Sequence, residues 1–254
     1  MIYKNDLAIL EFDDNSESVI MPNHENLDIK LPDKCIYAFL EDETEQYALK
    51  NEGKFLGHFE SATKTYPIYK INHKGHDLCL VQAPVGSAPA AQLMDWLIGY
   101  GVREIISTGT CGSLVDIAES TFLVPVRALR QEGTSFHYVY PSRYIDVNPR
   151  AVSAIESVFR QRGLKYKEVM TWTTDGFYRE TKDLVKYRVD EGCAVVEMEC
   201  SALAAVSQMR KAIWGEILFT ADTLEDVENY DQRNWARDSF AYALELAMDA
   251  VIEI

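Results

Sequence analysis

The chain lacks the cysteine pattern of a stapled or zinc-bound fold. Its five cysteines, Cys35, Cys79, Cys111, Cys193 and Cys200, are odd in number and none stands in a CxxC pair. That argues against a disulfide framework and against a structural metal site. Cys79, Cys193 and Cys200 lie among apolar neighbours and read as small core residues. Long hydrophobic runs are also missing, and none approaches the roughly 20 residues of a membrane span. The opening MIYKNDLAILEFDD does not have the basic-then-apolar order of a secretory signal, so a cytoplasmic protein is expected. Positive charge is scarce: 25 Lys and Arg stand against 40 Asp and Glu, a net charge of −15. A field of that sign repels nucleic acid and anionic membranes. Any phosphate site must therefore be assembled locally, against the overall field. Internal repeats, low-complexity tracts and Pro/Gly/Ser linkers are absent.

What is present is enough apolar material, 47% of 254 residues, for one large core spanning 1–254. Strand-like runs recur at 18–22, 35–40, 76–84, 104–109, 121–126, 166–174, 194–198 and 214–222. Helical patterns lie between several of them, at 87–101, 147–163, 200–211 and 231–254. The second opens on Asn148 as N-cap with Pro149 in the first turn and closes at Gly163. Apolar strands alternating with helices indicate an α/β domain whose central sheet is covered on both faces. Ligands in such folds gather at the carboxyl ends of strands.

Four stretches near those ends carry candidate chemistry. In STGTCGSL (107–114), Gly109 and Gly112 with Thr108 and Thr110 would let backbone N–H groups converge on an anion. The bland reading is a strand-to-loop turn. In VVEMECSAL (195–203), Glu197 and Glu199 stand two apart, so on a strand they share a face. At a strand's end both reach a ligand such as the vicinal hydroxyls of a sugar, with Met198 an adaptable apolar surface between them; alternatively one is a capping acid and the other a surface acid. In LFTADTLED (218–226), Asp222 ends an apolar run, where desolvation raises a carboxyl pKa and suits it to general-acid work. A helix cap is the plainer reading. In TWTTDGFYRET (171–181), Phe177 and Tyr178 follow an Asp-Gly turn and offer rings for stacking on a flat heterocycle, or belong to the core.

Taken in order, TGTCGSL, DGFY, VVEMECSAL and TADT resemble the nucleoside phosphorylase family, in its uridine phosphorylase and bacterial hexameric purine nucleoside phosphorylase branch, which has nucleosidase relatives. APVGSAPAAQL (83–93) falls where that family has a glycine turn before a helix, SVIMP where it has its first strand and phosphate loop, and EGTSFHYVYPSR (132–143) has its look. The resemblance implies a single α/β domain around a mixed, barrel-like sheet, assembled as a dimer or hexamer. It implies a phosphorylase that splits the N-glycosidic bond of a ribonucleoside with phosphate as co-substrate, without cofactor or metal. By motif, Glu199 would hold the ribose hydroxyls, Met198 would pack under the sugar and Glu197 would lie at the sugar–base junction. Phe177 would stack on the base, Gly109 and Thr110 would face phosphate, and Cys111 and Gly112 would line the substrate site. Asp222 matches the acid that protonates a purine, which favours purine over pyrimidine.

The chain departs from the family's pattern at the phosphate. MPNHENLD (21–28) stands where a GDP loop followed by an arginine is usual, and Ser107 stands where a second arginine is usual. Arginine is the preferred bidentate phosphate ligand. His24, Lys64, Arg143 and Arg179 are the candidate substitutes. Two alternatives therefore stay open beside phosphorolysis: hydrolysis by a nucleosidase of the same fold, and a nucleoside-binding protein without turnover.

Overall fold

Strand β7 (Glu104–Ser113) is the hinge of the architecture, because it belongs to a barrel along one half and to an open sheet along the other. A computed structural model describes residues 1–254. A two-stranded ribbon, β1 (Ile2–Tyr3) with β2 (Phe12–Asp13), precedes the main sheet. There follow β3 (Lys34–Phe39), α1 (Glu43–Lys50), β4 (Lys54–Glu60), β5 (Thr65–His73), β6 (His76–Gln82) and α2 (Ser87–Gly99), leading to β7. The second half runs β8 (Phe122–Gln131), β9 (Tyr144–Asp146), α3 (Pro149–Gln161), β10 (Lys167–Thr174), α4 (Lys182–Asp190) and β11 (Cys193–Glu197). It ends with α5 (Cys200–Arg210), β12 (Ile213–Thr223) and α6 (Phe240–Ile252).

Strands β7, β12, β8, β10 and β11 pair in that order, and β11 pairs back onto β7 to close a five-stranded barrel. Its pairings are mixed: β11–β7 and β12–β8 are antiparallel, the others parallel. From the same β7, strand β3 continues the sheet outward through β6, β5 and β4. The resemblance's mixed, barrel-like α/β domain is what the chain forms.

Two apolar layers cover the sheet. Leu93 and Leu97 of α2 and Leu203 and Val206 of α5 pack with Trp214 on one side. Phe159 of α3 and Leu244, Leu246 and Met248 of α6 pack with Ile217 and Phe219 on the other. Each such side chain, fully buried, contributes about 1.5–3 kcal/mol. Helix α3 starts where the sequence places it: Asn148 Oδ1 accepts from Arg150 N–H at 3.0 Å, with Pro149 at the first helical position.

Several expectations are corrected. Residues 18–22 form no strand, and Val19 and Ile20 are exposed. The last helix begins at Phe240 rather than near 231, after a bridge between Thr223 and Asp231 pins the intervening loop. Residues 107–113 are not a loop but the continuation of β7, held by β12 and then by β11. In a strand successive N–H groups point to opposite sides. They do not converge into the expected anion nest.

Candidate active site

The strands that end together at the barrel's rim enclose one cavity. Gly109, Thr110, Cys111 and Gly112 of β7 form one wall and Val196 and Glu197 of β11 another, with Met198 and Glu199 following at the turn into α5. Glu216, Leu218 and Asp222 of β12, Phe39 at the end of β3, and Val85, Phe177, Glu180 and Trp235 from loops complete it. The nine residues to which the resemblance gives a role all border it. Phe177 is not core: it sits in a short 3-10 turn, 43% exposed, in edge contact with Tyr178. Thr108 is fully buried and does not border the cavity.

Local chemistry explains how the acids are held. Glu197 ends β11 and bends back over the first turn of α5. Its Oε2 accepts from the N–H groups of Glu199 and Cys200, each at 2.6 Å, and its Oε1 from the hydroxyls of Thr173 at 2.6 Å and Thr171 at 3.1 Å. Four donors saturate this carboxylate, so the expected contact at a sugar–base junction is replaced by a capping role. Burial pushes its pKa up, and the four donors pull it back. Glu199 is different. Its Oε1 takes only the N–H of Gly86, in the turn before α2, where a φ of 100° calls for glycine. The rest of the carboxyl faces the cavity, and burial, reinforced by the Glu197 charge, pushes its pKa up to about 8.

Asp222 stands at the other end of the cavity, buried, with Oδ2 accepting from the Tyr230 hydroxyl at 3.0 Å. Burial raises its pKa, while Tyr230 and the more distant Arg233 oppose the shift. Gly112 makes room for it: a Cβ there would meet Leu224, Val196 and Asp222 Oδ1 at 3.0, 3.1 and 3.2 Å. Glu180 lies in the same wall, its pKa pushed up to about 7 by burial and then by Asp222. Glu216, 2% exposed, has an Oε2 with no hydrogen-bond partner. Burial and then the charges of Glu197 and Glu199 raise its pKa well above the ordinary range.

The cavity thus gathers five carboxyl groups and not one Lys, Arg or His. These acids are not a metal-ligand set, since no three His, Cys, Asp or Glu groups converge as ligands. The candidate phosphate partners lie elsewhere. His24 is exposed and bonds Met21, Lys64 bonds Gln82 at 2.8 Å, Arg143 bonds Glu191 at 2.6 Å, and Arg179 is outside the wall. Ser107 is fully buried, accepting from Trp214 Nε1 at 2.8 Å.

Glu180 and Glu216 were not singled out from the sequence. Glu216 carries the signal that marks Glu197, an acid inside an apolar run, WGEILF. Glu180 has only its place two residues after an exposed Tyr178, which is a weak one.

The fold is shared with solved structures of a nucleoside phosphorylase and a nucleosidase. The chain belongs to the phosphorylase superfamily, whose family model matches residues 34–253. A DeoD-type purine nucleoside phosphorylase of Brevibacillus brevis is 27% identical over 196 residues, 75% of this chain and 79% of that one. Among solved structures, uridine phosphorylase from Vibrio fischeri superposes with a TM-score of 0.76 at 20% identity, covering 89% of this chain and 95% of that one. AMP nucleosidase from Bacteroides thetaiotaomicron does so with a TM-score of 0.70 at 23% identity, covering 87% and 88%. At such identities these two establish the fold.

Proposed function

We propose that the chain cleaves the N-glycosidic bond of a purine ribonucleoside with water as acceptor, releasing free base and ribose. The observation that carries this reading is electrostatic: the cavity wall holds five carboxyls and no cation. A phosphate dianion entering it would find no guanidinium fork and no other cation to hold it. A neutral nucleoside needs neither. Developing positive charge on the ribosyl carbon is stabilised by nearby carboxylates fixed in advance.

In this reaction Glu199 accepts hydrogen bonds from ribose hydroxyls, and Met198 packs under the sugar. The base lies between Phe177 and Trp235, which project at the mouth. Asp222, whose desolvated position favours the protonated form, gives a proton to a ring nitrogen as the C1′–N bond breaks. Glu180 beside it accepts from an exocyclic or ring N–H of the base. The reaction uses no cofactor.

A second reading, phosphorolysis, is favoured by the name of the Brevibacillus relative. On this chain it requires cations from outside the cavity wall, supplied by a second subunit. Self-association itself fits the exposed apolar side chains of the N-terminal segment, Ile2, Leu7, Ile9, Val19 and Ile20. Sedimentation showing only monomer would remove it. The two readings of the reaction separate on phosphate dependence. Turnover of inosine or adenosine by phosphate-free protein, unchanged when phosphate is added back, supports hydrolysis. Turnover that appears only with phosphate contradicts it.

A further inference from the structure

A second cavity, of 420 Å³, lies against the Asp222 end of the first. The two share Phe177, Glu180, Asp222 and Trp235, so these four side chains form the boundary between them. Beyond that boundary the wall includes Tyr178, Val185, Leu224, Val227 and Tyr230. The rings of Phe177, Tyr178, Tyr230 and Trp235 are between 39% and 93% exposed. Open aromatic surface gathered in one place marks a binding site. Charged side chains in the same wall already have partners. Lys182 pairs with Glu228, and Asp226 accepts from Asn229 Nδ2 at 2.8 Å and from the Glu228 N–H at 3.0 Å. The surface left for a ligand beyond the boundary is mainly apolar and aromatic.

The loop that carries two of those rings is held in a strained form. Arg233, Trp235 and Ala236 have φ of 49°, 57° and 50°, in the left-handed region that residues with a side chain avoid. The surroundings enforce it. Glu119 Oε1 accepts from the N–H groups of Asn234 and Ala236, each at 2.9 Å, and Arg233 Nη2 donates to the carbonyl of Ile117 at 2.8 Å. Without those bonds the loop would relax to an ordinary conformation. As held, it sets Trp235 against both cavities at once.

Purine geometry connects the two spaces. The outer nitrogen of the imidazole ring and the 6-amino group lie side by side on one edge of a purine. The proposed reading puts Asp222 at a ring nitrogen and Glu180 at an exocyclic N–H, and both residues belong to the boundary. A substituent on the 6-amino nitrogen therefore continues past these two carboxyls into the second cavity. We infer that the preferred substrate is a purine ribonucleoside whose 6-amino group carries a ring-sized apolar substituent, an inference that rests on the purine reading above. A secondary amine at that position still has one N–H to donate to Glu180, so the added group and the contact coexist. Space is sufficient: a cavity of about 150 Å³ takes up a benzene ring, and the second cavity is larger. The four rings and Val185, Leu224 and Val227 supply its apolar contacts.

The test compares adenosine with 6-benzylaminopurine riboside as substrates of the wild-type protein. The expected kcat/KM is at least about 10-fold higher for the benzyl compound, the lower end for added apolar contact in a fitting pocket. Two variants then locate the effect. Val227→Trp fills the second cavity and leaves the first, which Val227 does not border, unaltered. Tyr178→Ala removes a ring that is 93% exposed, so the core stays intact where the larger substitution disturbs the fold. Each is expected to bring the ratio of the two kcat/KM values down toward one. A wild-type ratio at or below one, or a ratio unmoved in both variants, overturns the inference. Calorimetry with the free bases makes the same comparison without turnover: 6-benzylaminopurine is expected to bind about 10-fold or more tightly than adenine, and equal binding contradicts the second site. Failure of the purine reading itself looks different, because uridine is then cleaved while adenosine is not and neither free purine binds.

Discussion

Asp222 and Glu199 are both buried acids on one cavity, and their surroundings assign them opposite tasks. Asp222 has a single hydroxyl partner in Tyr230, and desolvation, the largest influence on it, raises its pKa. Asp222→Asn preserves size and one acceptor but has no proton to release. It is expected to lower purine nucleoside turnover by about 10²–10⁴ with little change in the melting temperature. A normal rate in this variant would remove the general-acid assignment. Glu199 accepts from the backbone N–H of Gly86 and borders the cavity in which the proposed reading puts the sugar hydroxyls. Glu199→Gln replaces a carboxyl by an amide that has a single acceptor oxygen and presents two N–H donors where sugar hydroxyls need acceptors. Its loss of kcat/KM should be larger for a ribonucleoside than for the 2′-deoxy analogue, and equal losses would contradict the ribose contact.

The turn from β11 into α5 shows how an element is built around the site. Helix α5 begins without a capping side chain from its own N-cap residue, Glu199. Glu197, two residues earlier, does that work and ties the helix to Thr171 and Thr173 of β10. Glu197→Ala strips four buried donors of their acceptor at once. An expected destabilisation of about 1–3 kcal/mol is measurable by denaturant melts, and an unchanged midpoint would refute the cap. Removing this neighbour also lowers the Glu199 pKa below about 8, since the Glu197 charge is part of what raises it.

Elements also show what was legible beforehand. Strands β3, β6, β10, β11 and β12 and helices α2, α3 and α5 fall where apolar runs and caps place them, because each is buried on its core face and so carries a clear period. Strand β4 and helix α1 were not legible: KFLGHFE is largely exposed and ETEQYALK buries only Thr44 and Ala48. Without a buried face there is no apolar period to read. The site was legible as a set of residues and only partly as a set of tasks. The pair in VVEMEC reads as two ligands two apart, yet tertiary donors from Thr171 and Thr173, distant in sequence, turn one of them into a cap. Pairing across the barrel likewise keeps 107–113 in a strand, which no local pattern around Gly109 and Gly112 discloses.

At the scale of the whole molecule, the collected acids couple stability to pH. Glu199 and Glu180 have pKa values raised from 4.5 to about 8 and about 7, and Glu216 is raised too. The folded state therefore binds more protons than the unfolded chain between about pH 4.5 and pH 8, and stability falls as pH rises through that window. Asp249, lowered to about 2 by His73, Lys74 and Arg162 against its own burial, contributes stability that is complete above about pH 4 and does not oppose this trend. The ligand-free protein is expected to melt at a lower temperature at pH 8 than at pH 5, with the difference reduced in Glu216→Gln. A higher melting temperature at pH 8 would mean that the cavity acids ionise freely.

On the proposed hydrolytic reading, a cavity wall without a cation offers a phosphate dianion no counter-charge and admits a neutral nucleoside and water. The most direct measurement is the identity of the sugar product when wild-type protein consumes a purine ribonucleoside in phosphate buffer, read by proton and phosphorus NMR. Free ribose as the sole sugar product is the expected result. Accumulation of ribose 1-phosphate would contradict it.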